Sequence, residues 1–306
     1  MKKILVTGGA GFIGSHLVDR LVEDGNQVIV VDDLSKGRIG NVNAKADFEK
    51  ADVTSKKFLD LMKKIRPDAV FHLAAQSDIG QSLKDPQKDI LINFLATQTL
   101  LEQAKVLKVK KIIFASSAAV YAELKKLPIE EGDPKEPISL YGVSKLCSEY
   151  LLRNYHKIHG LQYATLRFAN VYGPRQDMGS EGGVVAIFID KILKTDQAII
   201  FGDGAQTRDF VYVSDVVDAC LLSLKDNVFG EFNIGTEKET SIVNLYKKLL
   251  GLTGVKDNKK FAKRRFLEVT RNSLSSEKFK KACGWRPKVN LDQGLKLTFD
   301  YFQKKR

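Results

Sequence analysis

The side chains best suited to moving a proton in this 306-residue sequence are tyrosines followed four residues later by lysine. That spacing sets phenol and ammonium one helical turn apart on one face. An ammonium beside a phenol favours the phenolate, which makes tyrosine a usable acid or base near neutral pH. The pattern occurs three times, at Tyr121/Lys125, Tyr141/Lys145 and Tyr301/Lys305, so spacing alone does not choose. Context does. Only Tyr141 opens a long helical pattern, and Ser116-Ser117 ends an apolar run shortly upstream, where a hydroxyl can reach the same site. A second constellation is Thr7-Gly8-Gly9-Ala10-Gly11-Phe12-Ile13-Gly14. Its glycines allow a tight turn, close approach of a pyrophosphate and close helix–strand packing, and the helix that follows offers free N–H groups to phosphate. Asp32 ends the next apolar run, 18 residues after Gly14. A carboxylate there suits adenosine ribose hydroxyls and repels a 2′-phosphate. These residues predict dinucleotide binding, NAD over NADP, with Lys36 and Arg38 the nearby cations that soften the preference.

The elements that must position these groups follow from apolar patterning. Residues 2–7, 27–33, 69–74, 111–116 and 162–168 read as buried strands, and 12–24, 54–65, 88–107 and 141–159 as helices, with Gly25 closing the first. Strand alternating with helix, without hairpin turns, predicts an α/β fold, a Rossmann-like doubly wound parallel sheet. Beyond Asn170 the alternation gives way to glycine-rich loops at 173–183 and 202–204. One more strand and helix over 211–225 are expected to rejoin the sheet, and helices are expected at 240–251 and 275–300. The organisation expected is a dinucleotide-binding domain over 1–170, with a returning segment near 211–235. The remainder of 171–306 then forms a smaller C-terminal substrate domain, with the ligand between the two.

Composition removes other classes. With 43% hydrophobic and 28% charged residues the chain is globular, and no apolar run approaches the length of a membrane span. The stretch after Met1-Lys2-Lys3 is too soon broken by glycine for a signal peptide. Cys147, Cys220 and Cys283 are scattered without metal-ligand spacing, so neither a disulfide framework nor a metal site is expected. A reduced, cytoplasmic protein is the expectation. The net charge is +12, and residues 256–306 hold 16 Lys/Arg against 5 Asp/Glu. Without a nucleic-acid motif or an interleaved aromatic stripe, we read this as a solvated face that attracts anionic small molecules.

The motifs together resemble a known family. TGGAGFIG (7–14), VDDLSKG (31–37), HLAAQ (72–76), FASSAAVY (114–121), YGVSK (141–145), RFANVYGPRQ (167–176), GDGAQTRDFVYVSD (202–215), FNIG (232–235) and GWRP (284–287) are similar, in order, to the extended short-chain dehydrogenases/reductases. Within these they resemble the nucleotide-sugar epimerases of the UDP-glucose 4-epimerase type. The resemblance implies Ser117, Tyr141 and Lys145 as the catalytic set. It implies an NAD site lined by Gly8, Gly11, Phe12, Ile13, Gly14, Asp32, Asp33, Leu34, Ser35, Gly37, Asp52, Val53, Leu73, Ala74, Ala75 and Asn93, with Tyr141 and Lys145. It implies a UDP-sugar site with Ser77, Ser117, Tyr141, Asn170, Gly183, Val184, Phe201, Arg208, Arg265 and Asn272. Arginine suits the diphosphate because its fork is bidentate. The implied reaction inverts C4 of a UDP-hexose through a transient 4-keto sugar, in a homodimer paired through helices near 88–107 and 141–159.

Rival readings are epimerases of UDP-N-acetylhexosamine or UDP-glucuronate, a nucleotide-sugar dehydratase, and a non-catalytic NAD sensor or interaction protein. Dehydrating relatives carry acids after the serine, where this chain has Ala118 and Ala119. A pure binder needs no activated phenol. Three departures from the family pattern stand out: RFLE at 265–268 lacks the glycine of R-x-G-E/D, Ala122 follows Tyr121, and Ser275 replaces an aspartate. The resemblance implies that a residue a few positions after Glu268 faces the sugar C2 substituent; it falls at or next to Asn272, where Asn and Ser rather than Tyr leave room for an N-acetyl group.

Overall fold

The structure, a computed structural model, describes residues 1–179, 183–264 and 268–305. Its centre is strand β1 (Lys3–Thr7), flanked by β2 (Gln27–Asp32) and β4 (Ala69–His72), with β3 (Asp47–Lys50) beyond β2. On the other side β4 pairs with β5 (Lys111–Ser117), and β5 with β6 (Gln162–Phe168). All these pairings are parallel. The inner strands are apolar and β-branched, as burial on both faces requires. Strand order reverses between β1 and β4, so the crevice above their carboxyl ends is the natural ligand position. The polar sequence of β3, DFEK, is an edge strand that hydrophobic patterning does not reveal.

Two elements differ from expectation. After β6 the chain forms a short strand, Asn170–Tyr172, that pairs with Phe210–Tyr212 apart from the main sheet. Helix 213–222 follows, and Gly230–Ile234 rejoins the main sheet beside β6 as its seventh strand. The expected helix 88–107 is also interrupted. After a short turn of helix at Pro86–Asp89, residues Ile90–Leu95 form a π-helical turn before Ala96–Leu107 resumes α geometry. Such wide turns often mark functional places, and this one aims Asn93 inward, where it is 1% exposed.

Helix α1 (Phe12–Glu23) follows the glycine loop, and the 20-residue helix Leu140–His159 follows β5. The latter is capped by the Ser139 hydroxyl, which accepts from the Gly142 N–H at 3.1 Å, and ends at Gly160 with φ 71°. Separate apolar clusters fill the two faces of the sheet. A third joins helices Val184–Lys194, Ile242–Leu250 and Leu291–Lys304. Trp285 ties the C-terminal turn down, its indole N–H donating to the Asp215 carbonyl at 3.0 Å. Among the described residues no helix is long and apolar enough to cross a membrane, and no His/Cys/Asp/Glu cluster has the makings of a metal site.

Candidate active site

Ser117 is the last residue of β5, and a 3₁₀ turn, Ala118–Val120, follows it. Its hydroxyl accepts from the Ala119 N–H at 3.1 Å and lies near enough to the Tyr141 phenol to favour its ionised form. Gly142 makes that meeting possible: a Cβ there would fall inside van der Waals contact of the Ala119 carbonyl oxygen. Only glycine lets the start of the long helix lie this close to the turn. Lys145, one helical turn on, is 2% exposed and donates to the Ala115 carbonyl at 2.9 Å. Its Nζ lies 4.7 Å from the Phe114 ring centre and 6.0 Å from that of Tyr141.

The electrostatics differ from what the tyrosine–lysine spacing suggests. Burial pushes the Tyr141 phenol up to about 12, the Ser117 hydroxyl opposes this, and the Asp89 carboxylate adds to it. Burial pushes the Lys145 ammonium down to about 8, against the carboxylates of Asp89 and Glu149. Desolvation outweighs the expected help of the ammonium, whose own hydrogen bond goes to a carbonyl. The other two tyrosine–lysine pairs lie elsewhere. Tyr121 is 1% exposed, donates to Asn233 Oδ1 at 2.7 Å and accepts from Arg167 at 2.6 Å, a structural role. Tyr301 and Lys305 meet on the surface of the last helix at 3.4 Å.

The dinucleotide residues gather at the other side of the crevice. Gly8 has φ 72°, and a Cβ on it would sit 2.7 Å from the Ala74 nitrogen. Gly11 starts α1 with no side-chain cap, so the first-turn N–H groups face outward for a phosphate. Asp32, 7% exposed, accepts from Ala10 N–H at 3.0 Å and Leu34 N–H at 2.8 Å, and burial raises its pKa. Asp33 caps its own turn through Ser35, and Asp52 does so through Thr54, ahead of buried Val53. Beneath Leu73, Ala74 and Ala75 runs a buried chain of hydrogen bonds. Ala74 N–H donates to Thr7, Thr7 bonds His72 at 2.8 Å, His72 bonds Thr97 at 3.1 Å, and Thr97 donates to the Asn93 carbonyl. His72, held near pKa 3 by burial, is neutral and structural. This glycine cradle, open helix end and carboxylate fit NAD.

The substrate candidates continue along the sheet edge. Ser117 pairs with Phe168, and Asn170, two residues on, pairs with Phe210. Asn170 and Ser77 are exposed. Arg208, on the strand Thr207–Arg208, donates to Glu268 at 3.3 Å and to the Thr207 carbonyl at 2.7 Å, with 16% of its side chain exposed. Phe201 ends a neighbouring strand, while Gly183 and Val184 start helix Val184–Lys194. Asn272 is 7% exposed and its Oδ1 has no hydrogen-bond partner. Arg265 lies outside the described residues.

Sequence reasoning missed the polar support behind the catalytic set. Arg167 and Glu149, both nearly fully buried, form an ion pair at 2.6 Å, and Ser116 donates to Glu149 at 2.6 Å. Arg167 lies in the quoted RFANVYGPRQ, but only the fold brings Glu149 beneath it.

The sequence model of the NAD dependent epimerase/dehydratase family matches residues 4–235. The chain is 39% identical to the UDP-glucose 4-epimerase of Mycolicibacterium smegmatis, over 99% of both proteins. It superposes on the UDP-glucose 4-epimerase of Thermotoga maritima, solved with UDP-glucose, with a TM-score of 0.97 and 44% identity over 99% of each chain. On the Thermus thermophilus UDP-glucose 4-epimerase, solved with NAD, the TM-score is 0.94 at 37% identity, over 98% of each chain. With its glycine cradle at the sheet's switch point and its Ser117–Tyr141–Lys145 set at the edge of β5, the chain belongs to the NAD-dependent epimerase/dehydratase family.

Proposed function

We propose that the protein is an NAD-dependent isomerase, a 4-epimerase that interconverts UDP-glucose and UDP-galactose through a transient 4-keto sugar, in galactose metabolism. The observation that carries this reading is the Ser117 hydroxyl beside the Tyr141 phenol, with Ala118 and Ala119 directly after Ser117. A hydroxyl and a phenol can exchange the proton of a sugar hydroxyl. At that turn no carboxylic acid stands ready for the proton transfers of dehydration or decarboxylation.

Bound NAD supplies a reversible hydride acceptor for the sugar C4 and a positive charge to the site. Tyr141 takes the proton of the C4 hydroxyl and returns it after the ring has turned. Ser117 donates to the reacting oxygen, and Lys145 holds its neighbours as an ammonium. Asp32 holds the adenosine ribose and disfavours a 2′-phosphate. Arg208 and Arg265 take the diphosphate, with Asn170, Gly183, Val184 and Phe201 around the UDP half. In this reading residues 1–170 and the returning strand serve NAD, and the rest of 171–306 serves the nucleotide sugar.

A homodimer is part of the proposal. Ile90, Leu91 and Leu95 are 48%, 45% and 45% exposed, and Val143 and Tyr150 on the catalytic helix are 42% and 47% exposed. These apolar side chains suit a four-helix bundle between two copies. A nucleotide cofactor and a nucleotide-sugar substrate fit a cytoplasmic enzyme.

One observation favours a wider substrate range: the buried, unpartnered Oδ1 of Asn272 can accept from the N–H of an N-acetyl group at C2. The test is incubation with NAD and UDP-glucose, UDP-galactose, their N-acetyl forms and UDP-glucuronate, followed by chromatography. Conversion of UDP-glucose and UDP-galactose is expected, and turnover of UDP-glucuronate alone would overturn the assignment. Asn272→Tyr should suppress turnover of the N-acetyl sugars while sparing the others; equal loss on both sinks the wider range.

A further inference from the structure

On the substrate side of the crevice lies a fully buried acid that the mechanism above does not use. Asp209 is 0% exposed and stands between Arg208 and the strand Phe210–Tyr212. Four donors reach its carboxylate. Oδ1 accepts from the Thr236 hydroxyl, and the Thr236 N–H is shared between Oδ1 and Oδ2 at 2.9 and 3.0 Å. Oδ2 also accepts from the N–H groups of Glu237 at 3.1 Å and Leu274 at 3.2 Å. None of these donors carries a charge. Gly235 admits the arrangement, since a Cβ there would fall inside contact distance of Oδ2. Burial pushes the acid up to about 6 and the four donors pull against it, so at neutral pH the group is mostly a carboxylate.

A buried carboxylate persists where its oxygens are hydrogen-bonded, so it holds fast whatever carries the donors. Here it holds three segments, each next to a residue assigned above to the nucleotide sugar. Asn170 donates its backbone N–H to the Asp209 carbonyl at 2.8 Å. Arg208 immediately precedes Asp209 on the strand Thr207–Arg208, which pairs with Thr240–Ser241; the carboxylate grips residues 236–237, just ahead of that partner strand. Leu274 lies two residues after Asn272, and on the other side of Asn272 the Thr270 carbonyl accepts from the Thr207 N–H at 2.9 Å.

We propose that Asp209 is a positioning residue for the nucleotide-sugar site: its buried carboxylate sets Asn170, Arg208 and Asn272 relative to one another by holding residues 236–237 and 274 against the strand that carries it. The proposal rests on the nucleotide-sugar reading given above, and the test keeps the two apart.

Asp209→Asn keeps the size of the side chain but turns one acceptor into an amide that meets N–H donors. With NAD saturating, calorimetry should show UDP bound at least about fivefold more weakly, the order of one net hydrogen bond. NAD, held by the glycine loop and Asp32 across the crevice, should bind within about twofold of wild type. In turnover, KM for the UDP-sugar should rise by at least about fivefold with kcat near wild type, as when binding common to ground and transition state is lost. Unchanged UDP affinity in a folded Asp209→Asn overturns the proposal. Equal loss for UDP and NAD also overturns it, because a general support of the fold has no preference between them. Thr236→Val removes one donor and keeps the shape, which covers the case in which Asp209→Asn does not fold. It should weaken UDP by about two- to fivefold and spare NAD; UDP affinity equal to wild type overturns the proposal. A wild type that binds NAD but no UDP overturns the nucleotide-sugar reading and the role of Asp209 with it. A wild type that binds UDP no better than both variants overturns the role of Asp209 alone.

Discussion

Single side chains here divide into those that meet the crevice and those that hold them there. Tyr141→Phe removes only the proton-carrying oxygen, so kcat should fall by about 10²–10⁴-fold while UDP-sugar binding measured by calorimetry is kept. Tyr121→Phe should do the opposite. It takes a partner from both Arg167 and Asn233, so it should cost about 1–3 kcal/mol in denaturant unfolding and leave kcat nearly intact. Tyr301→Phe, on the surface, should change neither. A larger kinetic loss at Tyr121 or Tyr301 would move the active site. The sequence favours Tyr141 among the three because only it opens a long helical pattern downstream of the Ser116-Ser117 strand end. Asp89 was not legible, since nothing in residues 85–95 marks where the helix widens. A slipped backbone hydrogen bond leaves the apolar period almost unchanged.

At the scale of elements, the start of the catalytic helix is the critical join. Gly142 lies against the Ala119 carbonyl, so Gly142→Ala must push the helix away from the turn that holds Ser117. A shift of about 1 Å at a reacting group can cost on the order of 10²-fold. Gly142→Ala should therefore lower kcat by at least about tenfold, and overpacking should cost about 1–3 kcal/mol of stability. A variant of unchanged kcat would mean that Ser117 and Tyr141 need not touch. Five strands of the central sheet, β1, β2, β4, β5 and β6, were readable because apolar runs between turn signals have few other uses; the polar edge strand β3 was not. The short pairings of 170–172 with 210–212 and of 199–201 with 260–262 were not, because pairs this short are fixed by what packs over them.

For the molecule as a whole, the apolar face on the π-turn and the catalytic helix is the contact between copies in the proposed dimer. Light scattering at micromolar concentration should give a dimer, and Leu91→Asp with Val143→Asp should give a monomer. A monomeric wild type would remove the four-helix pairing. Such a face is hard to separate from core in the sequence, since both sides of a helix between sheet and partner are apolar.

The late return of Gly230–Ile234 to the sheet has a consequence for synthesis. Until that strand leaves the ribosome, β6 is the open margin of a nascent sheet, with the backbone groups on its outer edge unpaired. The 66 residues between Phe168 and Ile234 take roughly 3–13 s to make at ordinary elongation rates. For that interval the phenol of Tyr121 lacks Asn233, which arrives on the same strand. Over the same interval the outer edge of β6 is open to pairing with another chain, and the docking of one five-residue strand closes it.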